Sequence, residues 1–236
     1  MLYAYPHAVP GLRLASPLRR WLTILAGCVA VVVASMLLVD RPVASYMSEH
    51  TRPLGLLRWT VELHRWADEA ALVIIVACAL LAAAAPRHRP SRLTATLFLT
   101  ACTVIVTRAI KDQLQLAFGR TWPETWVDDN PSYIRDGVFR FDFFRGGEAY
   151  SSFPSGTTAT ITAVFAVLWW WYPRGRIVYA TVIGLVAATL VTSDFHFVSD
   201  IVAGGFIGMS AGWFAIQIWQ AWGPSGPAGQ SQQAEV

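Results

Sequence analysis

The sequence predicts an all-α, membrane-spanning bundle of six helices, and three observations predict it. Of its 236 residues, 55% are hydrophobic and only 14% are charged, where a soluble domain carries about a quarter charged residues. The apolar residues gather in blocks instead of spreading as amphipathic stripes. Arginines collect in alternate short loops, the asymmetry that orients a membrane protein. The formal charge of +3 then reflects basic residues at membrane boundaries. It is too small for a nucleic-acid surface, and no nucleic-acid partner is expected.

A bilayer core takes about 20 apolar residues per helix. The first candidate runs Trp21 to Val39, the second about Ala67 to Ala85, and the third Leu93 to about Ala109 with a polar extension to Phe118. The fourth runs Thr157 to Tyr172, the fifth Ile177 to about Ser193, and the sixth Ile201 to Trp222. Residues 1–222 read as one integral membrane domain. Gly223 to Val236, rich in Gly, Pro, Ser and Gln, reads as a disordered cytoplasmic tail. The first apolar run is long enough to span and no A-x-A site follows it, so a cleaved signal peptide is not expected.

Orientation follows from the short loops. Arg13, Arg19 and Arg20 precede the first helix, Arg87, Arg89 and Arg92 separate the second and third, and Arg174 and Arg176 separate the fourth and fifth. These loops are expected in the cytoplasm with both termini. The opposite side then holds residues 40–66, residues 119–153 and the turn Asp194 to Val198. Arg41, Arg52, Arg58 and Arg65 in the first outward loop run against the count. Leu54, Leu57, Trp59, Val61, Leu63 and Trp66 reconcile them with it as a helix lying in the interface, where arginines reach headgroups.

Three outward segments carry the polar chemistry: Phe118-Gly119-Arg120-Thr121-Trp122-Pro123, Phe153-Pro154-Ser155-Gly156-Thr157, and His196-Phe197-Val198-Ser199-Asp200. A Ser-Gly pair opening a helix offers free backbone N–H groups, a hydroxyl and the positive dipole end, the parts of a phosphate cradle. The plainer reading is that Ser155 is an ordinary N-cap. Asp200 lies four residues after His196, so one helical turn brings its carboxylate to the ring. That fixes the tautomer and leaves the other nitrogen free to attack or to shuttle a proton. An interfacial histidine bonded to a capping carboxylate gives the same pattern.

Arg120 closes the third helix. Lys111, the only lysine in the chain, and Arg108 lie deeper in it. Cations at membrane depth serve function or snorkel to the interface. The aromatic loop Trp122-Pro123-Glu124-Thr125-Trp126, with Phe139, Phe141, Phe143 and Phe144, reads as an interfacial belt or as a platform for lipid. Cys28, Cys78 and Cys102 sit inside apolar runs without metal-ligand spacing and read as small buried hydrophobes.

On these residues, from about Lys111 to Gly205, the sequence resembles the type 2 phosphatidic acid phosphatase (PAP2) superfamily. Its members carry a lysine, six residues, then Arg-Pro; a Pro-Ser-Gly-His segment; and Ser-Arg, five residues, His, three residues, Asp. The resemblance implies a phospho-histidine at His196, oriented by Asp200. It also implies phosphate oxygens held by Ser155 and the Gly156 amide, with no cofactor and no metal, and leaves Arg120 and Lys111 to substitute for the family's arginine and lysine as phosphate contacts. Trp122-Pro123 replaces the family's Arg-Pro, Gln115 stands where its lysine falls, Thr157 replaces the motif histidine, and Thr189-Leu190 replaces Ser-Arg. Arg140 or Arg145 would fill the place of the missing arginine.

The motif histidine protonates the leaving oxygen, help worth about 10²–10⁴ in rate. A phosphate leaving group needs that help much less than an alkoxide. Two readings follow. The first is a phosphatase or phosphotransferase acting on a lipid phosphate or lipid (polyprenyl) diphosphate at the outer leaflet of a bacterial inner membrane, with its site facing the periplasm or exterior. The second is a catalytically impaired relative that binds lipid phosphate without turnover. The oligomeric state is not legible.

Overall fold

The computed structural model describes residues 15–51, 56–84, 90–126 and 129–222. The tail 223–236, Arg13, Arg52, Leu54, Arg87 and Arg89 lie outside the described residues. The described chain is almost wholly helical: α1 (Ala15–Leu38), α2 (Asp40–His50), α3 (Leu56–Ala84), α4 (Arg92–Phe118), the single turn α5 (Tyr133–Asp136), α6 (Gly156–Trp171), α7 (Arg176–Thr192) and α8 (Val198–Trp222).

Among the described residues, five segments are long and apolar enough to cross a membrane: Pro17–Leu38, Arg65–Ala84, Arg92–Phe118, Pro173–Thr192 and Val198–Ala221. The predicted fourth span is α6, which at 16 residues is shorter. It lies at the centre of the bundle, packed against α3, α4, α7 and α8, with Gly156 through Ala163 buried. Its polar Thr157, Thr158, Thr160 and Thr162 are therefore inside the protein, not in lipid.

The predicted interfacial helix is not a separate element. The helix beginning at Leu56 continues unbroken into the second span as α3. Trp59 and Trp66 are exposed on it, in edge contact at 6.3 Å. The first outward loop instead contains α2, which follows α1 after a single residue.

Each end of α4 has a local cause. Ser91 caps the start by accepting the Thr94 N–H at 3.1 Å. Gly119 ends it in the left-handed conformation at φ 55°. A Cβ there would also lie 2.0 Å from the Asp142 carbonyl oxygen, so the chain turns where only glycine fits. The loop that follows has no regular strand among its described residues. Bridges of Arg120 with Phe141 and with Ser151, and of Trp122 with Ser132, fold it back over the helix ends.

Helix α8 approaches α6 through a glycine stripe. A Cβ on Gly204 would meet the Ser155 carbonyl oxygen at 2.4 Å, and one on Gly208 the Ala159 carbonyl oxygen at 2.2 Å. Small residues spaced by four let two membrane helices touch backbone to backbone. That contact sets Asp200, one turn before Gly204, beside the start of α6.

Candidate active site

The three polar segments converge. The backbone N–H of Ser155 donates to the Asp200 carbonyl at 3.1 Å, and that of Ser152 to the Arg120 carbonyl at 3.3 Å. The second segment is thus tied to both the third and the first.

His196 is 4% exposed. Its ring lies 5.1 Å from Trp122 and 5.2 Å from Phe195. The backbone N–H groups of Phe195 and His196 both donate to the Leu190 carbonyl, which closes the turn that presents the ring. Nδ1 of His196 is 3.5 Å from Asp200 Oδ2 and has no hydrogen-bond partner. This distance is longer than a formed N–H···O bond.

Asp200 is fully buried and accepts three hydrogen bonds. Oδ2 accepts from Ser152 Oγ at 2.7 Å and from the Phe197 N–H at 3.0 Å, while Oδ1 accepts from Arg120 at 2.5 Å.

Ser155 caps α6, accepting the Thr158 N–H at 3.3 Å and pairing with the Thr158 hydroxyl at 3.0 Å. Gly156 is the first residue of the helix, so its N–H belongs to the group left without intrahelical acceptors. Lys111 crosses this end. A Cβ on Gly156 would meet Lys111 Cδ at 2.9 Å and Nζ at 3.6 Å. The ammonium also pairs with Asp112 at 2.5 Å. Gln115, at the family's lysine position, donates to the carbonyls of Ser151 and Pro154 at 2.8 and 3.1 Å and fastens the loop that carries Ser155.

Arg120 sits differently from the sequence expectation of a phosphate contact. It is 1% exposed. One terminal nitrogen donates to Asp200 and to Ser199 Oγ, and the other to Asp40 at 2.7 Å. Phe139, Phe141 and Phe197 enclose the guanidinium at 4.4 to 5.1 Å. Two carboxylates and a hydroxyl occupy it.

The remaining candidates are dispersed. Arg140 and Arg145 are exposed and gather on Asp142 at 3.0 and 3.9 Å, with Arg145 over the Tyr150 ring. Arg108 pairs with Asp68 and Asp112, linking α4 to α3. Thr157 is buried in the first turn of α6. Leu190 is fully buried in an apolar cluster with Val186, and the Thr189 hydroxyl bonds back to the Leu185 carbonyl. Neither of that pair offers a hand to phosphate. Among the described residues, no group of three or more His, Cys, Asp or Glu is placed to hold a metal ion.

Sequence reasoning missed Asp40 and Asp194. Asp40, 1% exposed, accepts from Arg120, from Ser199 Oγ at 2.5 Å and from the Ser199 N–H at 3.0 Å. Its one signal was position, as the first acidic residue of the chain and the first residue past an apolar run. Asp194 holds a left-handed conformation at φ 51°. Its Oδ1 is buried without a partner. Burial, then the nearby Glu124 charge, push its carboxyl up to about 7.

A family model, the PAP2 superfamily, matches residues 92–224. The chain is 31% identical over 213 residues to a lipid A 1-phosphatase of Rhizobium etli, covering 85% of this chain and 84% of that protein. It is 29% identical over 208 residues to a lipid A 1-phosphatase of Rhizobium johnstonii, covering 85% and 80%. Among solved structures, a transmembrane PAP2-type phosphatidylglycerolphosphate phosphatase from Bacillus subtilis aligns with a TM-score of 0.49 at 15% identity, over 84% of this chain and 94% of that one.

Proposed function

Because this chain belongs to the PAP2 superfamily, as the match over residues 92–224 establishes, we propose that its three converging segments form a phospho-histidine site acting on a lipid phosphate at the outer leaflet. The protein is a membrane phosphatase of that superfamily, and the finer assignments below are ours. The observation that carries them is the link from Ser155 to Asp200, which sets the capped start of α6 beside His196 with Lys111 across it.

In this reading the Ser155 hydroxyl, the Gly156 N–H, the dipole of α6 and the Lys111 ammonium receive the phosphate oxygens. Nε2 of His196 attacks phosphorus, the bond to the leaving oxygen breaks, and Asp200 holds Nδ1–H. Water then attacks the phospho-histidine, releasing phosphate and the neutral ring. Arg120 acts one step behind, by holding Asp200. With threonine at 157, the leaving oxygen takes its proton from water, or is itself a phosphate that needs none. The relatives' names make the lipid A 1-phosphate the first substrate to try, and the missing histidine makes a polyprenyl diphosphate the second. The reading of a binder without turnover, opened by Thr157 and Leu190, yields to the family and to relatives that are phosphatases.

The test is phosphate release by the purified protein in detergent from lipid A, phosphatidic acid and a polyprenyl diphosphate, beside His196→Ala. We expect release from at least one lipid and a loss of at least about 10³-fold in the variant. Release that survives His196→Ala sinks the nucleophile, and release from none of the three sinks the substrate class.

A further inference from the structure

The quartet behind the nucleophile is built more carefully than orientation of one imidazole requires. Asp40 comes from the start of α2, Arg120 from the end of α4, and Ser199 and Asp200 from the first turn of α8. Each is at most 1% exposed. They are closely paired: Arg120 bonds to both carboxylates, and Ser199 bonds through its N–H and hydroxyl to Asp40. Asp200 alone, with its bonds from Ser152 and Phe197, would already hold the ring.

The formal charges explain the extra pair. Asp200 opposite Arg120 sums to zero, and Asp40 makes the buried cluster −1. When Nε2 of His196 takes the phosphoryl group, the ring keeps the Nδ1 proton and becomes a phospho-imidazolium, gaining one positive charge that the resting ring lacks. In a water-excluded site that new charge is stabilised by fixed negative charge already in place. We propose that Asp40 is a positioning residue for catalysis. It neutralises Arg120, so that Asp200 keeps its full negative charge for the phospho-imidazolium. This rests on His196 as nucleophile. Asp40 touches neither phosphate nor lipid in this assignment, so its effect falls on the transition state and not on substrate binding.

The experiment is a charge cycle in the full-length protein in detergent, using whichever lipid the wild type hydrolyses, with kcat, KM and thermal melting read together. Asp40→Asn keeps the shape and brings the cluster to zero. We expect kcat to fall about 10²-fold at unchanged KM, the scale of losing one preorganised electrostatic partner. Asp40→Asn/Arg120→Gln returns the cluster to −1 through Asp200 alone, and we expect it to recover at least tenfold of the lost kcat. A merely structural quartet predicts the opposite order, since the double variant has lost more hydrogen bonds. Wild-type kcat in a folded Asp40→Asn, a change confined to KM, or a double variant no faster than the single one overturns the proposal. If Asp40→Asn does not fold, the double variant decides alone, with kcat within about tenfold of wild type supporting the role and a larger loss overturning it. If neither folds, the quartet serves the fold and the catalytic role is withdrawn. Inactive wild-type protein, in contrast, ends the reading of the whole site and not of Asp40 in particular.

Discussion

At Asp194 a buried, unpartnered carboxylate oxygen faces the charge of Glu124, and the group titrates near 7 and not near 3.8. Below about pH 4 the folded and unfolded chains both hold this proton, and the residue is neutral to stability. Between there and pH 7 the unfolded chain releases the proton while the folded chain keeps it, so this group's contribution falls as pH rises. Above 7 the full penalty is present. Asp194→Asn removes it, and the variant should melt higher than wild type at pH 8 and level with it below about pH 4. Equal melting at both pH values would show that Glu124 and burial do not act on this group as described. The site was legible where chemistry is local: Ser155-Gly156 at a helix start, and His196 one turn before Asp200. Asp40 was not, because its partners lie about 80 and 160 residues away and no periodicity couples such distances. Arg120 drew attention as a phosphate ligand because the carboxylates that take it up, Asp40 and Asp200, each lie 80 residues away in sequence.

Among the elements, those that cross the membrane were the most legible. A span must satisfy its own backbone in hydrocarbon, which forces a long apolar run into the sequence. Helix α2 escaped notice because Asp40–His50 is mixed in polarity and is held by tertiary contacts, such as Thr51 Oγ1 to the Thr192 carbonyl at 2.6 Å. The join of α3 across the interface was equally hidden, since a helix at the interface and a helix leaving it share one pattern. The contact of α6 with α8 tests what positions the site. At Gly208 a Cβ would meet backbone oxygen at 2.2 Å, whereas at Gly205 the nearest atom is Thr158 Cγ2 at 3.8 Å. Backbone cannot step aside as a side chain can. Gly208→Ala should therefore cost about 1–3 kcal/mol or more and lower the melting temperature, while Gly205→Ala should be tolerated. Equal melting of the two variants would mean that α6 and α8 are not held backbone to backbone.

For the molecule as a whole, the arrangement that gathers the site, taken with the arginines of the short loops, predicts which side of the membrane it serves. The end of α4 and the starts of α2, α6 and α8 meet at one end of the bundle through Arg120, Asp40, Ser155 and Asp200, and the turn after α7 brings His196 to the same end. Residues 119–126 and 129–155 fold over that end. The opposite end carries Arg92 and, in the short connection from α6 to α7, Arg174 and Arg176. Positive residues in short loops stay in the cytoplasm, so the site should open outward, where an outer-leaflet lipid presents its phosphate without crossing the bilayer. Single cysteines read this directly in a chain freed of Cys28, Cys78 and Cys102. Glu148→Cys, exposed on the long loop, should react with a membrane-impermeant maleimide in intact spheroplasts, and Arg174→Cys, exposed at the other end, only after lysis. The reverse pattern would put the site in the cytoplasm. The three segments would still meet as described, but their substrate would have to come from the inner leaflet, and the arginine count would have been outweighed by Arg41, Arg58 and Arg65 on the other side.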